Sequence, residues 1–110
     1  MTEIIDRSVL AVLSESVGEE FVEELIDTFM EEAPGMFLEM KQALATGDAD
    51  GFRRAAHSLK TNANTFGATR LAEQAKELEY MARENDLNVV NNLEVLKDSY
   101  EQAIKELKSI

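Results

Sequence analysis

Cysteine and tryptophan are absent from this 110-residue chain, and proline and histidine occur once each. Without cysteine there is no disulfide framework and no thiolate metal site. One proline and five glycines leave few turn signals, which favours long regular elements. The longest apolar run, Val9 to Leu13, is far too short to span a bilayer. Glu3 and Asp6 stand where a secretory signal needs basic residues before a long apolar stretch. Basic residues are scarce as well. Lysine and arginine number 11 against 22 acidic residues, for a net charge of −11, and phosphate backbones demand the opposite balance. The expectation is a cytoplasmic protein of one domain, residues 1–110, with no membrane and no nucleic-acid partner.

Periodicity supplies the architecture: five helices and no strand. A short helix is predicted from about Arg7 to Ser14, with Asp6 as its N-cap, and Gly18 then breaks the chain. The next begins near Glu19 and carries Val22, Leu25, Ile26, Phe29, Ala33, Met36, Met40, Ala43 and Leu44 along one stripe. Pro34 and Gly35 interrupt it, yet the apolar phase is the same on both sides, which predicts one kinked helix rather than two. Thr46-Gly47-Asp48 reads as a helix stop followed by a new N-cap. A third helix ends near Phe66 at Gly67. The fourth turns Leu71, Ala75, Leu78 and Ala82 inward and closes at Glu84-Asn85-Asp86. The last starts near Asn88 and buries Val89, Leu93, Leu96, Tyr100, Ala103 and Leu107. Four long amphipathic helices with short connections predict an all-α, antiparallel up-down-up-down bundle, with the short first helix capping one end.

The third helix carries the chemistry. At about 100° per residue, Phe52, Ala55, Ala56, Leu59, Ala63 and Phe66 gather on one side. His57 falls roughly 140° from Phe52, together with Arg53, Lys60, Thr61 and Asn64. An outward imidazole has no packing role. A neutral imidazole carries a nitrogen lone pair and is a usable nucleophile. From Gly51 to Ala72 there is no acidic residue, whereas Arg53, Arg54, Lys60 and Arg70 are basic. A basic island in an acidic protein suits a site that meets negative charge, the plainer alternative being a chance gap in a solvated surface. Lys60 lies one turn beyond His57, where an ammonium could steady a phosphoryl group on the ring; alone it would be an ordinary surface lysine. The small residues Ala55, Ala56, Ser58, Thr61 and Ala63 leave the ring accessible. No glycine-rich nucleotide loop is present, and one histidine without cysteine leaves only an all-carboxylate metal site, with no such cluster around His57. No cofactor and no metal are expected, and no self-sufficient enzyme.

His57-Ser58-Leu59-Lys60, then Phe66-Gly67-Ala68, Leu71-Ala72 and Leu78-Glu79, resembles the histidine-containing phosphotransfer (HPt) domain family. That family's pattern is His-x-Leu-Lys-Gly, with a second Gly ten residues after the His and a Leu four further on. The resemblance extends back through the Phe21–Leu44 helix with its central Ala33-Pro34 and covers essentially the whole chain. It implies a four-helix bundle that accepts a phosphoryl group on one exposed histidine, here His57, and passes it on as a carrier in a two-component phosphorelay. Thr61 departs from the pattern by standing where the family usually has Gly. Its bulk beside the ring implies narrower partner tolerance, and its hydroxyl is a candidate donor to a phosphate oxygen. Glu79 stands where some members have an amide or an acid. Accepting from Nδ1–H there would set the tautomer and free Nε2, the alternative being a solvated glutamate that never touches the ring.

The implied partner is a receiver (response-regulator) domain bringing Mg²⁺ and a phosphoacceptor aspartate, with a hybrid sensor histidine kinase as a second. Docking is expected to use Arg53, Thr61 and Asn64 beside the ring, with Val9 and Leu13 from the first helix. Val9, Leu10, Val12 and Leu13 together are more apolar surface than about two turns can hide on one face. Two other classes compete: a helical adaptor that binds a receiver or kinase without being phosphorylated, and a kinase fragment resembling the chemotaxis kinase phosphoacceptor domain. An adaptor has no need of His57 beside Lys60, and a chain ending at Ile110 without an ATP-binding or dimerisation region disfavours the fragment. A monomer is expected.

Overall fold

A computed structural model describes residues 3–88 and 90–109, with only the backbone of residues 90 and 91. Val89, expected in the core, lies outside the described residues. Five helices and no strand are found among them: α1 (Arg7–Val17), α2 (Glu19–Thr46), α3 (Ala49–Thr65), α4 (Thr69–Arg83) and α5 (Val90–Ser109).

The local stops and starts follow backbone chemistry. Asp6 caps α1 by accepting from the Ser8 amide at 3.0 Å. That helix runs three residues past the expected Ser14, because nothing in Glu15-Ser16-Val17 opposes a helix and the stop is Gly18, at φ 87°. Between α2 and α3, Gly47 takes the left-handed conformation (φ 72°) and the Asp48 side chain accepts from the Gly51 amide at 2.9 Å.

Helix α2 is a single element across Pro34. Proline inside a helix costs roughly 3 kcal/mol. Here Pro34 and Gly35 lie on the exposed side, while Val22, Ile26, Phe29, Ala33, Met40 and Ala43 are buried on both sides of the interruption. Each large buried side chain contributes on the order of 1.5–3 kcal/mol, enough to hold both halves on one core.

Helices α2, α3, α4 and α5 form a closed ring: α3 packs on α2 and α4, and α5 packs on α4 and returns to α2. With short connections between successive members they make an all-helical bundle of the kind expected, and α1 packs on α2 and α3. The most extensive pairing is α3 with α4. Ala55, Ala56 and Ala63 on α3 and Ala72, Ala75 and Ala82 on α4 are all buried, and such small side chains let two axes approach. Phe29 stacks on Phe66 and meets Tyr100 edge-on, each pair with ring centroids 5.5 Å apart, tying α2 to the end of α3 and to α5.

The segment before α1 is a structural part of the bundle. Ile5 is buried, and the Asp6 amide donates to the Gly67 carbonyl at 2.6 Å. Helix α4 has no side-chain cap of its own; the Glu3 carbonyl instead accepts from the Thr69 hydroxyl (2.8 Å) and the Arg70 amide (3.2 Å). Gly67 permits this crossing. It has φ 71°, and a Cβ there would lie 2.6 Å from the Asp6 carbonyl oxygen and 3.0 Å from Val9 Cβ. Gly67→Ala should therefore lower unfolding free energy by about 2–3 kcal/mol through left-handed strain and displaced backbone. Gly35→Ala, at an open helical position, should raise it by about 0.5–1 kcal/mol. Chemical denaturation of the two variants checks both signs.

Candidate functional site

Phe52, Ala56 and Leu59 are buried, and their packing turns His57 outward, its side chain 55% exposed. Across the narrow α3–α4 interface stands Glu79, whose side chain is only 6% exposed. Its Oε1 is 2.9 Å from His57 Nδ1 and its Oε2 is 2.7 Å from Lys60 Nζ. Burial by itself would push the Glu79 carboxyl up. The hydrogen bonds from Lys60 and His57, with their charges, outweigh it and hold the carboxyl below the usual carboxylate range. An ionised carboxylate can only accept. The ring therefore donates from Nδ1–H, and the lone pair of the neutral imidazole sits on Nε2, on the exposed side.

Lys60 is 24% exposed and bound to Glu79 rather than free above the ring. A fourth member of this group was not singled out from the sequence. Arg83, one turn beyond Glu79 on α4, places Nη2 3.5 Å from Oε1 and is 60% exposed. The available signal was the i,i+4 spacing of an acid and a base on one helix.

The other expected site residues fall in different places. Thr61 is exposed, but its hydroxyl donates to the His57 carbonyl at 3.0 Å, so the proton expected for a phosphate oxygen is engaged by the helix backbone. Asn64 is exposed two turns along the same helix. Arg53 is half-buried and holds Asp50 at 2.9 Å, while Arg54 pairs with the same carboxylate. The basic island is thus partly neutralised by carboxylates from just outside its sequence window, Asp50 and Glu79. Arg70 does not belong to the patch: it sits nine residues before Glu79, about 13 Å along α4, and reaches Gln102 at 3.4 Å.

On α1, Leu10 is buried, Val9 and Leu13 are half-buried, and Val12 is the outward residue at 63% exposure. The start of this helix lies at the Gly67 end of the bundle, ten residues beyond His57 along α3 and its turn. Among the described residues no group of three or more His, Asp or Glu side chains could hold a metal ion. No helix among them is long and apolar enough to cross a membrane.

Comparison with known proteins gives a consistent result. The phosphorelay protein LuxU of Vibrio cholerae is 29% identical over 106 residues, covering 92% of this chain and 94% of that protein. LuxU of Vibrio harveyi is 27% identical over 86 residues, 78% of this chain and 75% of that one. The crystal structure of histidine-containing phosphotransfer protein B from Pseudomonas aeruginosa superposes with a TM-score of 0.90 at 31% identity, covering 99% of this chain and 95% of that one. The Hpt domain family model matches residues 24–106, which span all of α3 and α4 and most of α2 and α5, and the chain belongs to the Hpt domain family.

Proposed function

We propose that this chain is a phosphorelay intermediate of a two-component system, a single phosphotransfer domain over residues 1–110 that accepts a phosphoryl group on His57. The supporting observation is the exposed ring whose Nδ1 is held at 2.9 Å by a buried, ionised Glu79, leaving Nε2 open. In the step proposed, the Nε2 lone pair attacks the phosphorus of a receiver domain's aspartyl phosphate. The N–P bond forms, the P–O bond to the aspartate breaks, and its electrons leave on the carboxylate. The Nδ1 proton stays between ring and Glu79, so no proton has to move for the transfer to balance. Onward transfer is the reverse of the same step.

In this reading the receiver brings the Mg²⁺ and the aspartate, and the chain is a carrier without turnover of its own, monomeric and cytoplasmic. Glu79 orients the ring. Lys60 has three N–H donors, and the one directed at Glu79 leaves two for phosphoryl oxygens. Arg53, Thr61 and Asn64 form the docking surface beside the ring, and Val9 and Leu13 of α1 add its apolar part.

The test is incubation with a receiver domain carrying a labelled phosphoryl group. Label should move onto this chain in a bond that is labile in acid and durable in base, as for a phosphoramidate. Acid-stable label would assign the group to a hydroxyl such as Ser58 or Thr61. Receiver binding without any label would identify the chain as an adaptor instead.

A further inference from the structure

Glu79 is served by more positive charge than it needs. One buried carboxylate meets Lys60 at 2.7 Å and Arg83 at 3.5 Å, and it accepts a hydrogen bond from the His57 ring as well. The two cations are not equivalent. Lys60 has Oε2 to itself and is largely covered, whereas Arg83 is 60% exposed and makes a long contact to Oε1, the oxygen already bonded to the ring. As an intrahelical i,i+4 pair with most of its side chain in water, the Arg83 contact is weak and is released at little cost. Its position in the last turn of α4 suits a cation whether or not it touches Glu79.

Resting on His57 as the phosphoacceptor, we infer that Arg83 is the residue that exchanges partners when the ring is phosphorylated, leaving Glu79 for the phosphoryl oxygens on Nε2. A phosphoryl group adds up to two negative charges to a spot where only one carboxylate stood before. Glu79 keeps Lys60 as its counter-ion and the Nδ1 proton as its donor, so nothing buried is left unpaired when Arg83 departs. The guanidinium fork matches two phosphoryl oxygens in a way that one ammonium does not. Arg83 and Nδ1 share Oε1, so the side chain starts within one carboxylate oxygen of the ring it would serve. The effect is thermodynamic: Arg83 stabilises the phosphohistidine relative to the receiver's aspartyl phosphate.

The experiment measures the phosphotransfer equilibrium between a labelled receiver domain and four forms of this chain: wild type, Arg83→Ala, Arg83→Lys and Lys105→Ala. Lys105 is exposed on α5 and controls for net charge alone. For Arg83→Ala the equilibrium should shift towards the receiver by about tenfold, the lower end for a charge-assisted hydrogen bond. Arg83→Lys should recover part of that shift, and Lys105→Ala should behave as wild type. The Arg83 Nε–H resonance of isotopically labelled wild type should move on phosphorylation. Circular dichroism of unphosphorylated Arg83→Ala should match wild type, as an exposed side chain predicts. Label on His57 with an unshifted equilibrium in Arg83→Ala, or an equal shift in Lys105→Ala, overturns the role of Arg83 and leaves His57 as acceptor. No label on the wild-type chain overturns both.

Discussion

Replacing His57 with glutamine should abolish phosphoryl acceptance while leaving the helical content and the unfolding midpoint close to those of the wild type. The ring is more than half exposed, and the core side of α3 is made by Phe52, Ala55, Ala56, Leu59 and Ala63, none of which the substitution touches. Surface changes of this kind cost within about 0.5 kcal/mol. The glutamine amide can still reach Glu79 as a donor but has no nitrogen lone pair to offer phosphorus. A labelled receiver domain mixed with the variant, followed by gel autoradiography, checks the chemistry, and circular dichroism checks the fold. Persistent acid-labile label on the variant would show that the acceptor lies elsewhere.

Glu79→Gln should have the next largest effect, and in two measurements at once. The charge-assisted bond that sets the ring's tautomer becomes a neutral one, and the amide end of the glutamine turns a donor towards Lys60. Losing one such bond in the transition state corresponds to about 1.5–3 kcal/mol, a fall of roughly ten- to a hundredfold in the rate of acceptance. Stability should fall as well, by about 1–3 kcal/mol at neutral pH, less than for a fully enclosed pair because Lys60 and His57 both reach solvent.

The pH dependence has a definite sign. Burial acting alone would raise the Glu79 carboxyl, but Lys60 and His57 hold it below the usual range, so its folded-state pKa is depressed. A depressed carboxyl contributes stability above its unfolded value, and that contribution is lost as pH falls through the folded value. The advantage of wild type over Glu79→Gln should therefore be full at neutral pH. It should shrink as pH drops through and below the ordinary glutamate range, around ~4.3. Urea denaturation of both proteins across that range measures it. An advantage that stayed undiminished well below that range would contradict the loss of a carboxylate's contribution in acid.

How much of this was legible beforehand depends on the reach of the interactions. Helix starts and stops are decided within four or five residues, and Gly47, Asp48 and Gly67 act where the sequence places them. The continuity of α2 across Pro34 followed from an apolar stripe that keeps its phase, since period is a local property of a helix. The outward turn of His57 was available for the same reason: its angle from Phe52 and Leu59 is set by one helix alone. Helix α1 outruns the expected Ser14 because Gly18 is the first residue that opposes a helix.

Contacts between elements are another matter. Glu79 lies 22 residues from His57, and whether it is solvated or pressed against Nδ1 depends on how closely α3 and α4 approach and in what register. Buried alanines on both helices decide that, and only together. The same packing commits Lys60 to Glu79 and sets the ring against the oxygen that Arg83 already reaches along α4. Capping of α4 by the Glu3 carbonyl joins it to the Thr69 hydroxyl, 66 positions on, and the acceptor is a backbone atom that carries no side-chain signature. Periodicity and capping act over a few residues, so the helices, their apolar faces and the one outward imidazole are legible in the chain alone. Which carboxylate holds that ring, and that Lys60 shares it, become readable only once the helices are packed, because those pairings depend on the spacing and register of α3 against α4.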